Sequence, residues 1–223
     1  RAGVAYIRGH PTLRRLLAAQ AAAFVFFAAV LPVEVIYAKE TLNAGDTGYG
    51  LLLGSWGAGM VSGSVVFAAL RRAALPTLIF FSTLAIGLGY LAMAAAPTLA
   101  LACAAAALGG AGNGVQWVAL VSAVQDLTKA SMQARVMSVL ESSGAAMPGV
   151  GFVLGGLIAA TVGTRATFLT AGVGVMAIVA LFAPLLGEVW KTPRSEGEEN
   201  GLPSRPRDLD ADDEIMVELI PRG

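Results

Sequence analysis

From Ala73 to Gln125 the chain carries no charged side chain, and that run most narrowly limits what it can fold into. As one helix, at 1.5 Å per residue, it would be about 80 Å long, whereas the hydrocarbon core of a bilayer is about 30 Å thick. Two spans fit instead. The break belongs at Ala96-Pro97-Thr98, because proline lacks an N–H and disfavours helical geometry in the residue before it. Other uncharged runs are Thr47 to Leu70, Ser142 to Thr164, Ala166 to Gly187 and the shorter Leu16 to Val33, just before Glu34. The expectation is an all-α membrane protein with six transmembrane helices, over about 16–38, 48–70, 76–95, 98–124, 137–162 and 166–186. Helices are preferred to barrel strands because the apolar runs are continuous rather than alternating, and a helix satisfies its own backbone hydrogen bonds.

Charge sets the orientation. Alternating the span ends between two sides puts Arg1, Arg8, Arg14, Arg15, Arg71, Arg72, Lys129, Arg135, Lys191 and Arg194 on one side, and only Lys39 and Arg165 on the other. The positive-inside rule makes the first side cytoplasmic, with both termini inside. Residues 1–15 read as the end of a cytoplasmic linker. Residues 188–223 read as a disordered acidic cytoplasmic tail, whose negative charge argues against headgroup or nucleic-acid binding. Residue 1 is Arg and no signal-peptide pattern precedes the first span, so more chain is expected upstream. The single cysteine, Cys103, lies inside the fourth span, which leaves no disulfide framework and no zinc spacing. With one histidine, His10, outside the spans and no catalytic constellation, neither an enzyme nor a metal or cofactor site is expected.

Six spans divide into two triplets, and because three is odd the second runs through the membrane upside down relative to the first, as two inverted repeats. The middle helix of each triplet is glycine-rich. The second span carries Gly50/Gly54 and Gly59/Gly63 and the fifth carries Gly151/Gly155, pairs at a four-residue spacing that lets helix backbones approach closely.

The order of features is familiar. His10-Pro11-Thr12-Leu13-Arg14 leads into a span holding Leu31-Pro32, and Tyr49-Gly50-Leu51-Leu52 opens the glycine-rich span closed by Arg71-Arg72. Later, Gln133-Ala134-Arg135-Val136-Met137-Ser138 precedes a span with Pro148-Gly149-Val150-Gly151. This resembles the C-terminal six-helix half of the major facilitator superfamily over about residues 5–187, closest to the bacterial exporters of enterobactin, drugs and macrolides. The resemblance implies half of a twelve-helix protein, a missing N-terminal six-helix half as partner, and substrate passage by alternating access across the bacterial plasma membrane.

Polar residues inside spans are expensive, and they are the candidates for function. An ionisable Glu34 needs pairing, water or a proton, and proton binding there is what a proton-coupled antiporter requires; the competing reading has it reach headgroups or water near Tyr37. Asn113, Gln116 and Trp117 share one face of the fourth span, fit either to line a cavity for an amphipathic substrate or to make an interhelical hydrogen bond. Trp56, Phe26 and Phe27 are weaker candidates, since aromatic residues at helical positions usually pack. Arg71, Arg72, Asp126, Arg135 and Glu141 flank the cytoplasmic loops, where ion pairs could lock that face shut in one state. Arg165, in the outer turn, reads as an interfacial anchor. A competing class is a six-helix scaffold or assembly subunit that binds partners and moves nothing, and a third is a six-helix protein that dimerises to form a complete pore.

Overall fold

A computed structural model of the chain describes residues 2–70 and 72–189, with side chains as far as residue 182. The chain divides into two compact units, Arg1–Lys191 and Thr192–Gly223, and the helices belong to the first. Arg71, and the acidic tail from residue 190 onward, lie outside the described residues. The described elements are all helical: α1 (Ala2–Gly9), α2 (Pro11–Ile36), α3 (Gly45–Ala69), α4 (Leu75–Ala95), α5 (Leu99–Asp126), α6 (Gln133–Thr161) and α7 (Thr164–Val189). Six segments are long and apolar enough to cross a membrane: Pro11–Thr41, Gly45–Ala69, Leu75–Ala95, Leu99–Asp126, Ala130–Thr161 and Thr164–Phe182.

Local chemistry explains the helix ends. His10 is extended, with φ −119° and ψ 95°, because it precedes Pro11, and so α1 stops where α2 begins. The residues read as linker therefore hold a short helix, whose Gly3 lies against the backbone carbonyl of Arg135 on α6. Between α4 and α5, Ala96 is extended before Pro97, and Thr98 caps α5 by accepting the Leu101 N–H at 3.4 Å. Pro32 does not end α2. The helix continues beyond it and widens into a π-helical turn over Tyr37–Thr41, extending the span past the expected boundary at 38.

The packing obeys a two-fold rule. α3 lies along α5, and α6 lies along α2 in the same sense; α4 fills the side of α5, as α7 fills the side of α2; and α4 meets α7 at the centre. Exchanging α2 with α5, α3 with α6 and α4 with α7 therefore returns the same principal contacts, which is the relation between two inverted three-helix repeats. Close approaches repeat it residue by residue. Gly59 and Gly63 press on the carbonyls of Ala107 and Ala111 of α5, while Gly151 and Gly155 press on those of Val25 and Ala29 of α2. Gly110 and Gly114 return the contact from α5 against the carbonyls of Trp56 and Met60. A β-carbon at any of these glycines would collide with backbone, so the glycines set how closely the helices pack.

Gly50 and Gly54 differ. Nothing comes within 4 Å of where a β-carbon would stand on either, and the same holds at Gly57, Gly149 and Gly156. Four-residue spacing is common to Gly50/Gly54 and Gly59/Gly63, but only the second pair turns toward a neighbour within the bundle.

Candidate functional site

Between α2, α4 and α5, in a part of the bundle otherwise built of Ala, Leu, Val and Phe, lies a cavity of about 250 Å³. α2 contributes Gln20, Ala23, Phe24 and Phe27; α5 contributes Asn113, Gln116 and Trp117; α4 gives Thr83 and Ile86, α3 gives Met60 and α7 gives Val175. A second, smaller cavity of about 50 Å³ shares Gln20, Ala23, Thr83 and Gln116 with it. No charged side chain lines either wall among the described residues.

The three polar residues of α5 do come together, in unequal roles. Gln116 is buried and its Nε2 donates to Gln20 Oε1 at 2.6 Å, crossing from α5 to α2. In an apolar interior the unpaired alternative for either amide costs about 1–3 kcal/mol, so this bond holds the two helices at a set rotation. Asn113 is half-buried, and among the described residues its amide has no hydrogen-bond partner; it faces the cavity as a donor and an acceptor together. Trp117 is 39% exposed and leans on Phe24, with ring centroids 6.5 Å apart. Thr83 is spent on its own helix, donating to the Ile79 carbonyl at 2.6 Å. The arrangement suits a partly aromatic molecule, which Trp117 and Phe24 can stack against while Asn113 supplies one or two hydrogen bonds.

The other aromatic candidates separate. Phe27 lines the cavity and tilts against Trp56, with centroids 6.0 Å apart. Trp56 itself is buried and stacked on Tyr90 at 5.3 Å. Phe26 packs over Gly174 of α7, where a β-carbon would strike its ring.

Glu34 is inside the bundle, 8% exposed, on the stripe of α2 that carries Val30, Tyr37 and Ala38 into a core shared with Trp56, Tyr90 and Phe168. Seven residues of helix separate it from the end of the span at Thr41, about 10 Å at 1.5 Å per residue. Among the described residues it has neither an ion-pair nor a hydrogen-bond partner.

Beside it, at the Lys39 and Arg165 end, three helix ends are tied. Arg165 donates from Nη1 to the Ala94 carbonyl at 2.6 Å and from Nη2 to the Ala96 carbonyl at 2.7 Å, occupying acceptors that the last turn of α4 leaves open. Its guanidinium lies 5.9 Å from the centre of the Tyr37 ring, and Tyr37 donates to the Met93 carbonyl at 2.6 Å. Thr41 and Thr164 share a hydrogen bond of 2.7 Å. Arg165 thus joins α7 to α4 through the backbone.

At the opposite end, Arg72, Asp126, Arg135 and Glu141 are all exposed, and among the described residues none forms an ion pair. Arg71 lies outside the described residues. The ion pair that is formed, Lys39 with Asp46 at 2.5 Å, is exposed and at the other end, where such pairs contribute at most about 1 kcal/mol.

Sequence reasoning missed Gln20, Phe24, Met60 and Thr83 as cavity residues. Gln20 alone carried a signal, as the one amide within the uncharged run from Leu16 to Val33.

Six apolar helices in two inverted triplets, with a partly polar cavity between α2, α4 and α5, make up a multi-pass membrane protein of the transporter class. The family model of the Major Facilitator Superfamily matches residues 16–218. The chain belongs to that superfamily, a family of transporters. No curated protein matches it significantly.

Proposed function

We propose that the chain is the C-terminal six-helix half of a twelve-helix exporter, which moves small amphipathic molecules across the bacterial plasma membrane by alternating access, driven by protons. The cavity beside Asn113, Gln116 and Trp117 carries this reading: at about 250 Å³ it is smaller than most complete ligand sites, as one wall of a site shared between two halves would be. The partner is a second six-helix half. It docks on the exposed faces of α3 and α6, where Gly50, Gly54, Gly57, Gly149 and Gly156 leave room for close helix approach. Both termini are cytoplasmic, a topology supported by Arg8, Arg14, Arg15, Arg72, Lys129 and Arg135 at one end against Lys39 and Arg165 at the other.

In this mechanism the substrate stacks on Trp117 and Phe24 and hydrogen-bonds Asn113, while Gln116 fixes the wall through Gln20. Glu34 takes up and releases the coupling proton, a role supported by its burial without a partner. Arg72 and Arg135 pair with Asp126 and Glu141 when the cytoplasmic face closes, a state in which water leaves and the pairs strengthen. The test is flux: the full-length protein in proteoliposomes with an imposed pH gradient should move an amphipathic fluorescent dye, and Asn113→Ala with Trp117→Ala should slow it about tenfold or more. Absence of dye movement with any gradient would favour the scaffold reading.

A further inference from the structure

The two-fold relation shows that one end of the bundle is plugged where the other is hollow. Ala29 and Ala111 are equivalent, each receiving the second glycine of its pair, Gly155 or Gly63, and so are Gly87 of α4 and Gly172 of α7. Eight residues beyond Ala29 stands Tyr37, and eight beyond Ala111 stands Ala119. Four residues before Gly172 stands Phe168 and seven before it Arg165; the same steps back from Gly87 reach Thr83 and Phe80. At one end, then, Tyr37 tilts on Phe168 with ring centroids 4.6 Å apart, and Arg165 ties down the Ala94 and Ala96 carbonyls. At the other end the equivalent places hold Ala119, Thr83 and Phe80, so two large rings give way to small side chains and the guanidinium to a ring that bonds no carbonyl. There the cavity of about 50 Å³ remains, with Phe80 and Thr83 in its wall.

This chamber is hydrocarbon on nearly every side. Leu16 and Ala19 of α2, Ile79 and Phe80 of α4, and Ile178 and Val179 of α7 line it. Its polar residues are Gln20, Thr83 and Gln116, and each is already bonded: Gln116 donates to Gln20, and Thr83 to the Ile79 carbonyl. The same three, with Ala23, also line the larger cavity, so the two chambers meet at the Gln116 to Gln20 bond. Asn113 and Trp117 line the larger one and not the smaller. A molecule stacked on Trp117 and bonded to Asn113 therefore has beside it a second space that offers hydrocarbon contact, which suits a saturated chain. At about 10–15 Å³ for each water-sized group, that space takes about four methylenes.

We propose that the smaller cavity is the tail chamber of the substrate site, which selects aromatic amphiphiles carrying an alkyl chain of about four carbons. The inference rests on reading the larger cavity as that site, and it adds a length rule: methylenes gain affinity until the chamber is full and none beyond.

The experiment is fluorescence titration of the purified full-length protein in detergent with N-alkyl dansyl amides, from methyl to octyl. Wild type is compared with Ala19→Leu, whose larger side chain fills the chamber from α2. Partition into the micelle is common to both proteins, so the ratio of their dissociation constants isolates the chamber. That ratio should climb about tenfold or more from methyl to butyl, at most about fourfold for each methylene, and level off beyond. A ratio that stays flat while wild type binds the methyl homologue overturns the tail chamber and leaves the larger cavity's role standing. Failure of wild type to bind any homologue overturns both. If Ala19→Leu binds none, Val179→Phe decides from α7: a climbing ratio sustains the proposal, and a flat one, or loss of every homologue here too, overturns it. The same series in phospholipid nanodiscs tests for a bilayer chain in the chamber. A ratio that climbs there as well sustains the proposal, and one that climbs in detergent alone overturns it, since a lipid tail then holds the space.

Discussion

Gly87 of α4 and Gly172 of α7 face each other across the centre of the bundle. A β-carbon on Gly172 would stand 3.0 Å from the Gly87 carbonyl oxygen and 2.7 Å from Leu91; one on Gly87 would stand 3.4 Å from the Gly172 oxygen and 2.9 Å from Met176. Leu91 and Met176 lie one turn beyond their respective glycines, so each half of the contact repeats the other. The axis relating the two inverted repeats passes between these glycines.

That geometry makes the glycines unequal under substitution. Gly63→Ala and Gly155→Ala each force a methyl into a neighbouring backbone carbonyl and should destabilise by about 1–3 kcal/mol, by similar amounts because their surroundings are equivalent. Gly9→Ala in α1, with open space around it, should be neutral or slightly stabilising through helix propensity. Thermal unfolding in detergent separates the two classes.

The Gln116 to Gln20 hydrogen bond should show as coupling. Gln116→Ala and Gln20→Ala each strand a buried amide, and the double variant should be less destabilised than the sum of the two by about 1 kcal/mol. A double-mutant cycle on unfolding free energy reads this directly, and strict additivity would mean that the bond contributes nothing.

Arg165→Lys should resemble Arg165→Ala more than wild type. Lysine keeps the charge but not the planar fork that reaches two carbonyls at once. Hydrogen exchange near the end of α4 should speed up in both variants, with unchanged protection of α5 near Leu120 as the internal control.

Trp117→Ala should weaken binding of aromatic compounds by about three- to tenfold, the range expected for one lost stacking contact. Trp117→Phe should recover most of the loss. Titration of a fluorescent amphipathic dye measures both.

Much of this was legible before any coordinates. Uncharged runs bounded by Arg71-Arg72, Asp126 and Arg165 fix the spans because the bilayer punishes charge, and that rule does not depend on tertiary detail. The shared face of Asn113, Gln116 and Trp117 follows from helical spacing alone. Three things escaped. Gln20 lies ninety-six residues from its partner, and nothing local to either amide says which helices adjoin. Arg165 bonds backbone carbonyls, which every residue has, so no sequence pattern announces its partners. Gly50/Gly54 and Gly59/Gly63 have the same spacing, and only the rotation of α3 against α5 decides which pair is buried.

Access to the cavity from both sides of the membrane tests the account most directly. In a Cys103→Ser background, Asn113→Cys in the full-length protein would be exposed to a membrane-impermeant thiol reagent from one side at a time, with and without an imposed pH gradient. The account predicts that labelling from one side falls as labelling from the other rises when the gradient is applied. Labelling from a single side under every condition would contradict it.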